Sequence, residues 1–304
     1  MGNTFYFQWE VSLMEWLQTV LGASGAALMS VISAFGEDLL MIAILGFVFW
    51  SLDKKAGKYV GMSLVMNVAW NPLIKNAVLR RRPYFDNPGI KCLKPVESGA
   101  DIYDIAKQGF SFPSGHASNS ASAYGALARF IRKKWLTALC VALTALVGIS
   151  RFCVGVHYPT DVICGWLLGT VIVFLIPWLD KVIEKRIIFY GILLLSAIPG
   201  IFYCKTTDYF TGLGMLLGFL PALSFEEKYV KFENTRKPIS MILRVVGGIA
   251  IYFALSFLLK FPFSEAFLES DSATCFAVRV VRYAIIIFIE IGVYPLLFKT
   301  KVLR

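Results

Sequence analysis

The stretch WLTALCVALTALVGISRFCVGVHYPTDVICGWLLGTVIVFLIPWL, at residues 135–179, decides the fold class. One apolar run precedes His157 and another follows it, and each is close to the roughly 20 residues that a membrane-spanning helix needs. Arg151, His157 and Asp161 lie around the junction of these runs. Ionisable residues within apolar segments are rare and usually functional. The stretch therefore predicts two membrane helices with a functional site where they meet.

The composition of the whole chain agrees with a membrane protein. Of the 304 residues, 57% are hydrophobic and 16% are charged, against roughly 45–50% and about 25% in an ordinary soluble domain. The net charge of +10 does not indicate a nucleic-acid partner, because the basic residues lie in short clusters between apolar runs. The six cysteines form no CxxC pair and no zinc-like spacing with histidine, so we expect no metal. A disulfide among Cys92, Cys204 and Cys275 stays open, since we expect all three outside the cytoplasm.

Ten apolar stretches predict an all-α integral membrane protein. They lie at residues 18–35, 39–52, 57–79, 115–131, 135–156, 159–179, 187–203, 208–224, 240–259 and 276–298. Several are shorter than the roughly 20 residues of a straight span, so nine spans is the alternative. Ahead of them, a helical stripe predicts an amphipathic helix at the bilayer interface, formed by Trp9, Leu13, Trp16, Leu17 and Val20. Residues 1–18 contain no basic residue, so we expect no cleaved secretory signal.

Basic residues in every second short loop predict the orientation, because such loops stay on the cytoplasmic side. One segment departs from this pattern. It lies on the face that we expect to be non-cytoplasmic, and it carries Lys75, Arg80, Arg81, Arg82, Lys91, Lys94 and Lys107. The rule that basic loops stay cytoplasmic does not explain basic residues at that face, whereas a role in anion binding would.

Three short segments at this face carry the chemistry. In the first, Lys75 and Arg82 are seven residues apart, which is about two helical turns, so we expect them to share a helix face that Pro83 ends. In the second, Ser114 precedes an apolar run as a good helix N-cap, and Gly115 lets the backbone approach an anion.

The third segment runs from Ser150 to Asp161. Asp161 follows His157 by four residues, so its carboxylate can accept the Nδ1 proton and leave Nε2 free to attack. Arg151 can bind a phosphate group in a bidentate manner. His116 and His157 are the two histidines of the chain, and both lie among these cations. A nucleophile, an orienting acid and anion-binding cations together indicate covalent catalysis.

The three segments match K-x6-RP, PSGH and SR-x5-H-x3-D, so the chain resembles the type-2 phosphatidic acid phosphatase superfamily over roughly residues 18–180. The resemblance implies that phosphate is bound by Lys75, Arg82, Ser114, Gly115 and Arg151. It also implies that His157 attacks phosphorus, that Asp161 orients His157 and that His116 protonates the leaving oxygen. No cofactor is implied, because the cations supply the electrostatic stabilisation.

The resemblance implies a six-helix phosphatase core, and about four further transmembrane helices follow it. We expect residues 1–180 to form this core with the interfacial helix, and residues 181–304 to form an extension that shapes either a lipid pocket or a homodimer surface. The protein would be a multi-pass protein of the cell membrane whose active site faces the non-cytoplasmic side.

The activity implied is metal-independent hydrolysis of a lipid or isoprenoid phosphate through a phosphohistidine. Which lipid is the substrate stays open, as do a phosphotransferase and a glucose-6-phosphatase-like enzyme. The soluble haloperoxidases share the motifs, but the apolar composition argues against them. A membrane transporter with an anion path is the alternative that is not an enzyme. A transporter would need basic residues at several depths, whereas Lys75, Arg82, Arg151 and both histidines cluster at one end of the predicted helices.

Overall fold

The computed structural model describes residues 2–300 and Leu303, and helices account for most of this part of the chain. The α-helices are α1 (Gln8–Ser33), α2 (Asp38–Phe47), α3 (Lys54–Val78), α4 (Pro83–Asp86), α5 (Ile105–Gln108), α6 (Gly115–Ile131), α7 (Lys134–Cys153), α8 (Pro159–Val182), α9 (Arg186–Ala197), α10 (Thr207–Phe225), α11 (Pro238–Leu258), α12 (Glu265–Leu268) and α13 (Ala273–Phe288). Short 3-10 or π-helical segments extend several of them, as at Val48–Leu52 and Ile289–Val293.

The predicted all-α membrane fold is confirmed. Each of the ten apolar stretches is helical over most of its length. Within the described residues, six helical segments are long and apolar enough to cross a bilayer, and they are Gln8–Gly36, Lys134–Cys153, Pro159–Val182, Thr207–Val230, Pro238–Leu258 and Ala273–Lys299. Leu39–Leu52 and Arg186–Phe202 are shorter apolar segments.

The chain divides into two compact units. The first contains residues up to Met41 together with Asn71–Leu175, and the second contains Ile42–Trp70 and residues from Ile176 onward. Residues 42–70 group with the C-terminal helices, and the division that we predicted at residue 180 stays a prediction. The roles that we assigned to residues 1–180 and 181–304 stay a prediction.

Small residues bring α6 and α8 close together in the first unit. A Cβ atom at Gly165 would lie 2.7 Å from the carbonyl oxygen of Ser114, and one at Gly169 would lie 2.6 Å from that of Ser118. Glycines four residues apart let the backbones of two membrane helices approach closely. This approach brings the start of α6 next to the start of α8, where the second and third motifs lie.

The first helix, α1, has one side that packs against protein and another that is exposed. Glu10, Val11 and Met14 are buried, whereas Trp9 and Trp16 are exposed. The exposed aromatic side chains are typical of a helix whose outer face lies in the bilayer interface. Placement of residues 9–20 in the interface stays a prediction, and the burial of Glu10 has consequences for the active site described below.

The second unit is centred on the packing of α10 against α13, where the rings of Phe210 and Phe276 stack with centroids 4.1 Å apart. Lys54 forms an ion pair with Glu226 at 2.6 Å, and Lys58 pairs with Glu227 at 3.4 Å. All six cysteines of the chain are free, so the disulfide considered among Cys92, Cys204 and Cys275 is not formed.

Candidate active site

All eight predicted site residues lie in the first unit, at the ends of its helices. Lys75 is in the last turn of α3, and Arg82 directly precedes α4. Ser114, Gly115 and His116 lie at the start of α6. Arg151 is in the last turn of α7, His157 is in the turn between α7 and α8, and Asp161 is in the first turn of α8. The three motifs therefore meet where several helices begin or end.

The first motif differs from its prediction in backbone structure. The helix α3 ends at Val78, before the arginines, and Leu79 has a positive φ of 56°. Asn3 then forms a parallel bridge with Arg80, and Arg82 is extended with ψ of 153°. The prediction that Lys75 and Arg82 share one helix face is therefore wrong, because pairing with the N-terminal segment draws the chain out of the helix.

The extended backbone sends the three consecutive arginines to different partners. Side chains of an extended segment alternate in direction. Arg80 and Arg82 point to the turn that carries His157 and Asp161, whereas Arg81 points away and pairs with Asp86 at 3.0 Å. A helix would have spread the three guanidinium groups about 100° apart around its axis.

Arg82 is held rigidly beside the expected nucleophile. Its Nε donates to the carbonyl oxygen of Gln108 at 2.8 Å, and its Nη1 donates to that of Val156 at 2.8 Å. The same Nη1 lies 3.5 Å from Nε2 of His157. Because three backbone carbonyls, including that of Gly109, fix the guanidinium, little side-chain entropy is lost when an anion binds it.

His157 is surrounded by positive charge. Burial lowers the pKa of His157 well below its usual value of 6.5, and the charges of Arg82, Arg151 and Lys75 lower it further. A neutral imidazole has a lone pair on one ring nitrogen. The cations that would bind an anion thus also keep the nucleophile unprotonated at neutral pH.

Asp161 is completely buried, and its carboxylate is fully engaged. Oδ1 accepts a hydrogen bond from Nη1 of Arg80 at 2.7 Å, and Oδ2 accepts one from the backbone N–H of Tyr158 at 2.7 Å. Oδ2 is 3.6 Å from Nδ1 of His157, which is longer than a hydrogen bond. The expected bond between this acid and His157 is therefore not formed, although the two groups are adjacent.

The start of α6 faces the same region. The Ser114 hydroxyl caps the helix by accepting from the Ala117 N–H at 3.4 Å, and the Ser114 N–H donates to the carbonyl oxygen of Asp161 at 3.0 Å. A Cβ atom on Gly115 would meet no protein atom closer than 4.0 Å. The space above this helix start is therefore open, and helix N-termini favour anions.

Arg151 and His116 are the remaining predicted site residues. Arg151 is buried, its Nη1 donates to Ser33, and its Nε has no hydrogen-bond partner within the protein. An unpaired buried donor costs free energy that an anionic ligand would recover. His116 is an electrostatic neighbour of Arg151, His157 and Arg82. The arrangement can hold a dianion and present a neutral imidazole nitrogen to it.

A single glutamine ties the loop between α4 and α6 to this site. The Gln108 side chain is buried, and its Oε1 accepts from the backbone N–H of Val96 at 2.9 Å, while its Nε2 donates to the carbonyl oxygen of Glu97 at 2.9 Å. Its own carbonyl oxygen binds Arg82. One residue thus links the fold of the loop to the position of the phosphate-binding guanidinium.

The turn that carries His157 has a strict requirement for glycine. Gly155 has φ of 82°, and a Cβ atom there would lie 2.1 Å from the carbonyl oxygen of Lys91. Gln18 of α1 contacts the same turn, since its side chain donates to the carbonyl oxygens of Lys91 and Cys153 at 2.9 and 3.2 Å. The backbone around the nucleophile is therefore fixed on both sides.

Two family models match the chain. The model of the PAP2 superfamily matches residues 56–184, and the model described as the transmembrane extension of PAP2 superfamily phosphatases matches residues 210–303. The chain belongs to the PAP2 superfamily. Because the second model describes a transmembrane extension and six described helices can cross a bilayer, this PAP2 protein is a multi-pass membrane protein.

Curated PAP2 relatives include several phosphatases. The chain is 32% identical over 151 residues to an undecaprenyl-diphosphatase from Sulfolobus acidocaldarius, covering 49% of this chain and 67% of the relative. It is 31% identical over 168 residues to a decaprenylphosphoryl-5-phosphoribose phosphatase from Mycobacterium tuberculosis, covering 54% and 86%. It is 37% identical over 90 residues to phosphatidylglycerophosphatase B from Bacillus subtilis, which covers 27% of this chain and less than half, 44%, of that relative.

Among solved structures, the chain is similar to a transmembrane PAP2 type phosphatidylglycerolphosphate phosphatase from Bacillus subtilis. The sequences are 26% identical, the TM-score is 0.44, and the match covers 59% of this chain and 90% of that structure.

The structure adds residues to the site that the motifs do not contain. The most closely connected are Arg80, Glu10 and Thr160, which surround Asp161. Asn71 also contributes, since its side chain donates to the Ser118 hydroxyl at 3.0 Å near the start of α6. The run of three arginines was a visible signal for Arg80, but no local pattern indicated that Glu10 would be its partner.

Proposed function

We propose that this PAP2 protein removes a phosphate group from a membrane lipid or an isoprenoid carrier through a covalent phosphohistidine on His157. The observation that carries the proposal is the buried imidazole of His157, with its Nε2 3.5 Å from the Arg82 guanidinium and its pKa lowered by burial and by three cations. Relatives named as phosphatases of undecaprenyl and decaprenyl lipids agree with this substrate class.

In the first step, the lone pair on Nε2 of His157 attacks phosphorus, and the bond between phosphorus and the lipid oxygen breaks. Lys75, Arg82 and Arg151 stabilise the negative charge that the phosphoryl oxygens carry in the transition state. Ser114 and the N–H of Gly115 bind the same group from the start of α6. The negative charge of the bound phosphate helps His116 to hold a proton against the neighbouring cations. His116 donates this proton to the departing lipid oxygen, so the lipid leaves as a neutral alcohol or as the shortened phosphate.

In the second step, a water molecule attacks the phosphorus of the phosphohistidine. His116, now neutral, takes a proton from this water, and the bond between phosphorus and nitrogen breaks. Orthophosphate leaves, and His157 is again a neutral imidazole. Asp161 stabilises the positive charge that His157 carries while the bond to phosphorus exists. Three cations supply the charge stabilisation, so the cycle needs no metal ion.

We propose further that the site faces the non-cytoplasmic side of the cell membrane. The argument is the charge of the segment from Lys75 to Lys107, which is basic although alternate loops already account for the cytoplasmic basic residues. A lipid anchored in the outer leaflet would present its phosphate at the level of this basic segment in the membrane. A cysteine placed at the exposed position Ser98 and labelled by an impermeant reagent only from the cytoplasmic side would contradict this orientation.

The deciding experiment measures phosphate release by the purified protein in detergent. The assay contains a chelator and a panel of phosphatidate, phosphatidylglycerol phosphate, a sphingoid phosphate and undecaprenyl pyrophosphate. His157→Ala is the test variant, and Arg81→Met is the control, because Arg81 lies next to the site but points away from it. We expect release by the wild type and by Arg81→Met, and none by His157→Ala.

Two other outcomes would change the conclusion. Release that stops when the chelator is added would contradict the metal-free route. An inactive wild type that nevertheless incorporates phosphate from the lipid into protein would indicate a phosphotransferase that lacks its acceptor.

A further inference from the structure

Arg80 is buried as deeply as the catalytic groups but occupies an unspecified position of the first motif. Its exposed fraction is 1%. Its Nη1 donates to Oδ1 of Asp161 at 2.7 Å and to the hydroxyl of Thr160 at 2.8 Å, and its Nη2 donates to Oε2 of Glu10 at 3.0 Å. The ring of Tyr158 lies under the guanidinium, 4.0 Å from its central carbon. Arg80 thus contacts three of the four residues that follow His157 in the chain.

Glu10 reaches this cluster from the N-terminal part of α1. Its side chain is completely buried, and Oε1 accepts from both the backbone N–H and the hydroxyl of Thr160, at 3.0 and 2.6 Å. Oε2 accepts from Arg80 and from the Phe7 N–H. Each carboxylate oxygen is therefore satisfied by two donors, as a buried carboxylate requires.

The N-terminal segment further fixes this arrangement. The carbonyl oxygen of Phe5 accepts a hydrogen bond from Nε of Arg80 at 2.8 Å. The ring of Tyr6 stacks on that of Tyr158, with the ring centroids 5.8 Å apart. Asn3 pairs with the backbone of Leu79 and Arg81 at 2.7 and 3.0 Å. Residues 3–10 therefore hold the guanidinium of Arg80 in a single position.

The position of Arg80 determines the position of the Asp161 carboxylate. Oδ1 is bound to Arg80 and Oδ2 to the Tyr158 N–H, so the carboxylate is oriented by a contact at each end. Oδ2 is also the atom that lies 3.6 Å from Nδ1 of His157. If Arg80 moves, the oxygen facing the imidazole moves with it.

We propose that Arg80 and Glu10 are positioning residues of this PAP2 protein, which act on His157 through Asp161. The inference rests on the proposed function, since it assigns a role in the attack by His157. Glu10 fixes Arg80, Arg80 fixes Asp161, and Asp161 faces Nδ1 of the imidazole that receives the phosphoryl group. The N-terminal part of α1 thus supplies part of the catalytic arrangement.

The test compares Glu10→Gln with Glu15→Gln, the same change at an exposed position on the same helix. Glutamine keeps an acceptor for Thr160 but removes the charge that balances Arg80. We expect Glu10→Gln to lower kcat about 10-fold, the size of effect that supporting partners of catalytic side chains have elsewhere. KM and competitive inhibition by inorganic phosphate should stay unchanged, because the phosphate-binding cations are untouched. Glu15→Gln should behave as the wild type.

A double-mutant cycle separates positioning from a general structural role. Residues that act through one another have non-additive effects. In an Asp161→Asn background, Glu10→Gln should therefore lower kcat by less than 2-fold, against about 10-fold in the wild type. Arg80→Lys and its control Arg81→Lys test the second link, and only Arg80→Lys should lower kcat, because lysine cannot contact Asp161, Thr160 and Glu10 at once.

Thermal unfolding in detergent accompanies each variant so that only folded protein is compared. A Glu10→Gln protein that melts earlier but keeps wild-type kcat would overturn the inference, since Glu10 would then be an anchor alone. The inference would also be overturned if the kcat losses of Glu10→Gln and Asp161→Asn multiplied fully in the double variant. A wild type without phosphate release overturns the proposed function, whereas an active wild type with unaffected Glu10→Gln and Arg80→Lys overturns this inference alone.

Discussion

The Nη1 atom of Arg82 lies 3.5 Å from Nε2 of His157. A guanidinium is always charged, so a proton on this ring nitrogen would face a fixed positive group at short range. The same guanidinium would bind the phosphate that the imidazole attacks. One interaction therefore both selects the reactive form of the nucleophile and places its target.

This relationship predicts the pH dependence of the reaction. The pKa of His157 is lowered, so the residue loses its proton at a lower pH than an ordinary histidine and stays reactive below pH 6.5. Arg82→Met removes one cause of that shift. We expect the acidic limb of the kcat/KM profile to move to higher pH in this variant, in addition to a loss of about 100-fold in rate.

Arg81→Met is the control for this profile, because its guanidinium points away from His157. All variants share the same substrate, so ionisation of the lipid phosphate cannot cause a difference between them. An acidic limb at the same pH in Arg82→Met and Arg81→Met would contradict the assignment of that limb to His157.

Gly115→Ala should separate substrate binding from stability. The added methyl group meets no protein atom closer than 4.0 Å, so the melting temperature should not fall. It would occupy the space where phosphate approaches the start of α6. We expect KM and the inhibition constant of inorganic phosphate to rise on the order of 10-fold, or about 1.4 kcal/mol.

The control for this change is Gly191→Ala in α9, where an added Cβ also meets nothing. It should change neither parameter. Wild-type phosphate inhibition in Gly115→Ala would mean that the ligand does not contact this helix start.

Gly155→Ala should damage the turn that carries the nucleophile. The positive φ of 82° and the clash with the Lys91 carbonyl oxygen both oppose a side chain there. Strain at such a position costs of order 1–3 kcal/mol. We expect a lower melting temperature together with a lower kcat. Gly99→Ala, in an exposed loop position with open space around it, is the matched substitution and should be neutral.

Ser114→Ala should have two effects, and a second capping serine allows them to be separated. Loss of an N-cap costs about 1 kcal/mol of stability. Ser272 caps α13 in the same way, by accepting from the Cys275 N–H at 3.2 Å. We expect both Ser114→Ala and Ser272→Ala to lower the melting temperature, but only Ser114→Ala to lower phosphate release. Equal activity of the two variants would leave Ser114 with capping as its sole role.

The sequence predicted those parts of the site that depend on local spacing. His157 and Asp161 are four residues apart across the start of α8, and Ser114 directly precedes α6. Short-range geometry places such residues without knowledge of the rest of the fold. The helices themselves followed from apolar length, which the bilayer requires of every span.

The parts that the sequence did not predict depend on distant contacts. Glu10 and Arg80 are 70 residues apart, and nothing in the local pattern of either residue indicates the other. The same holds for the end of α3, where pairing with Asn3 replaces the helix that spacing alone predicted. Helix propensity is a weak preference that tertiary contacts override.

Gln108 divides the loop between α4 and α6 into two parts with different freedom to change. Its backbone carbonyl holds Arg82, while its side chain closes the segment around Val96 and Glu97 upon itself. Residues 98–101 contact the site through this side chain, whereas Ile102 and Tyr103 also pack against Tyr84. Evolution, or a protein engineer, can therefore exchange that segment to alter headgroup preference while the chemistry at phosphorus is inherited unchanged.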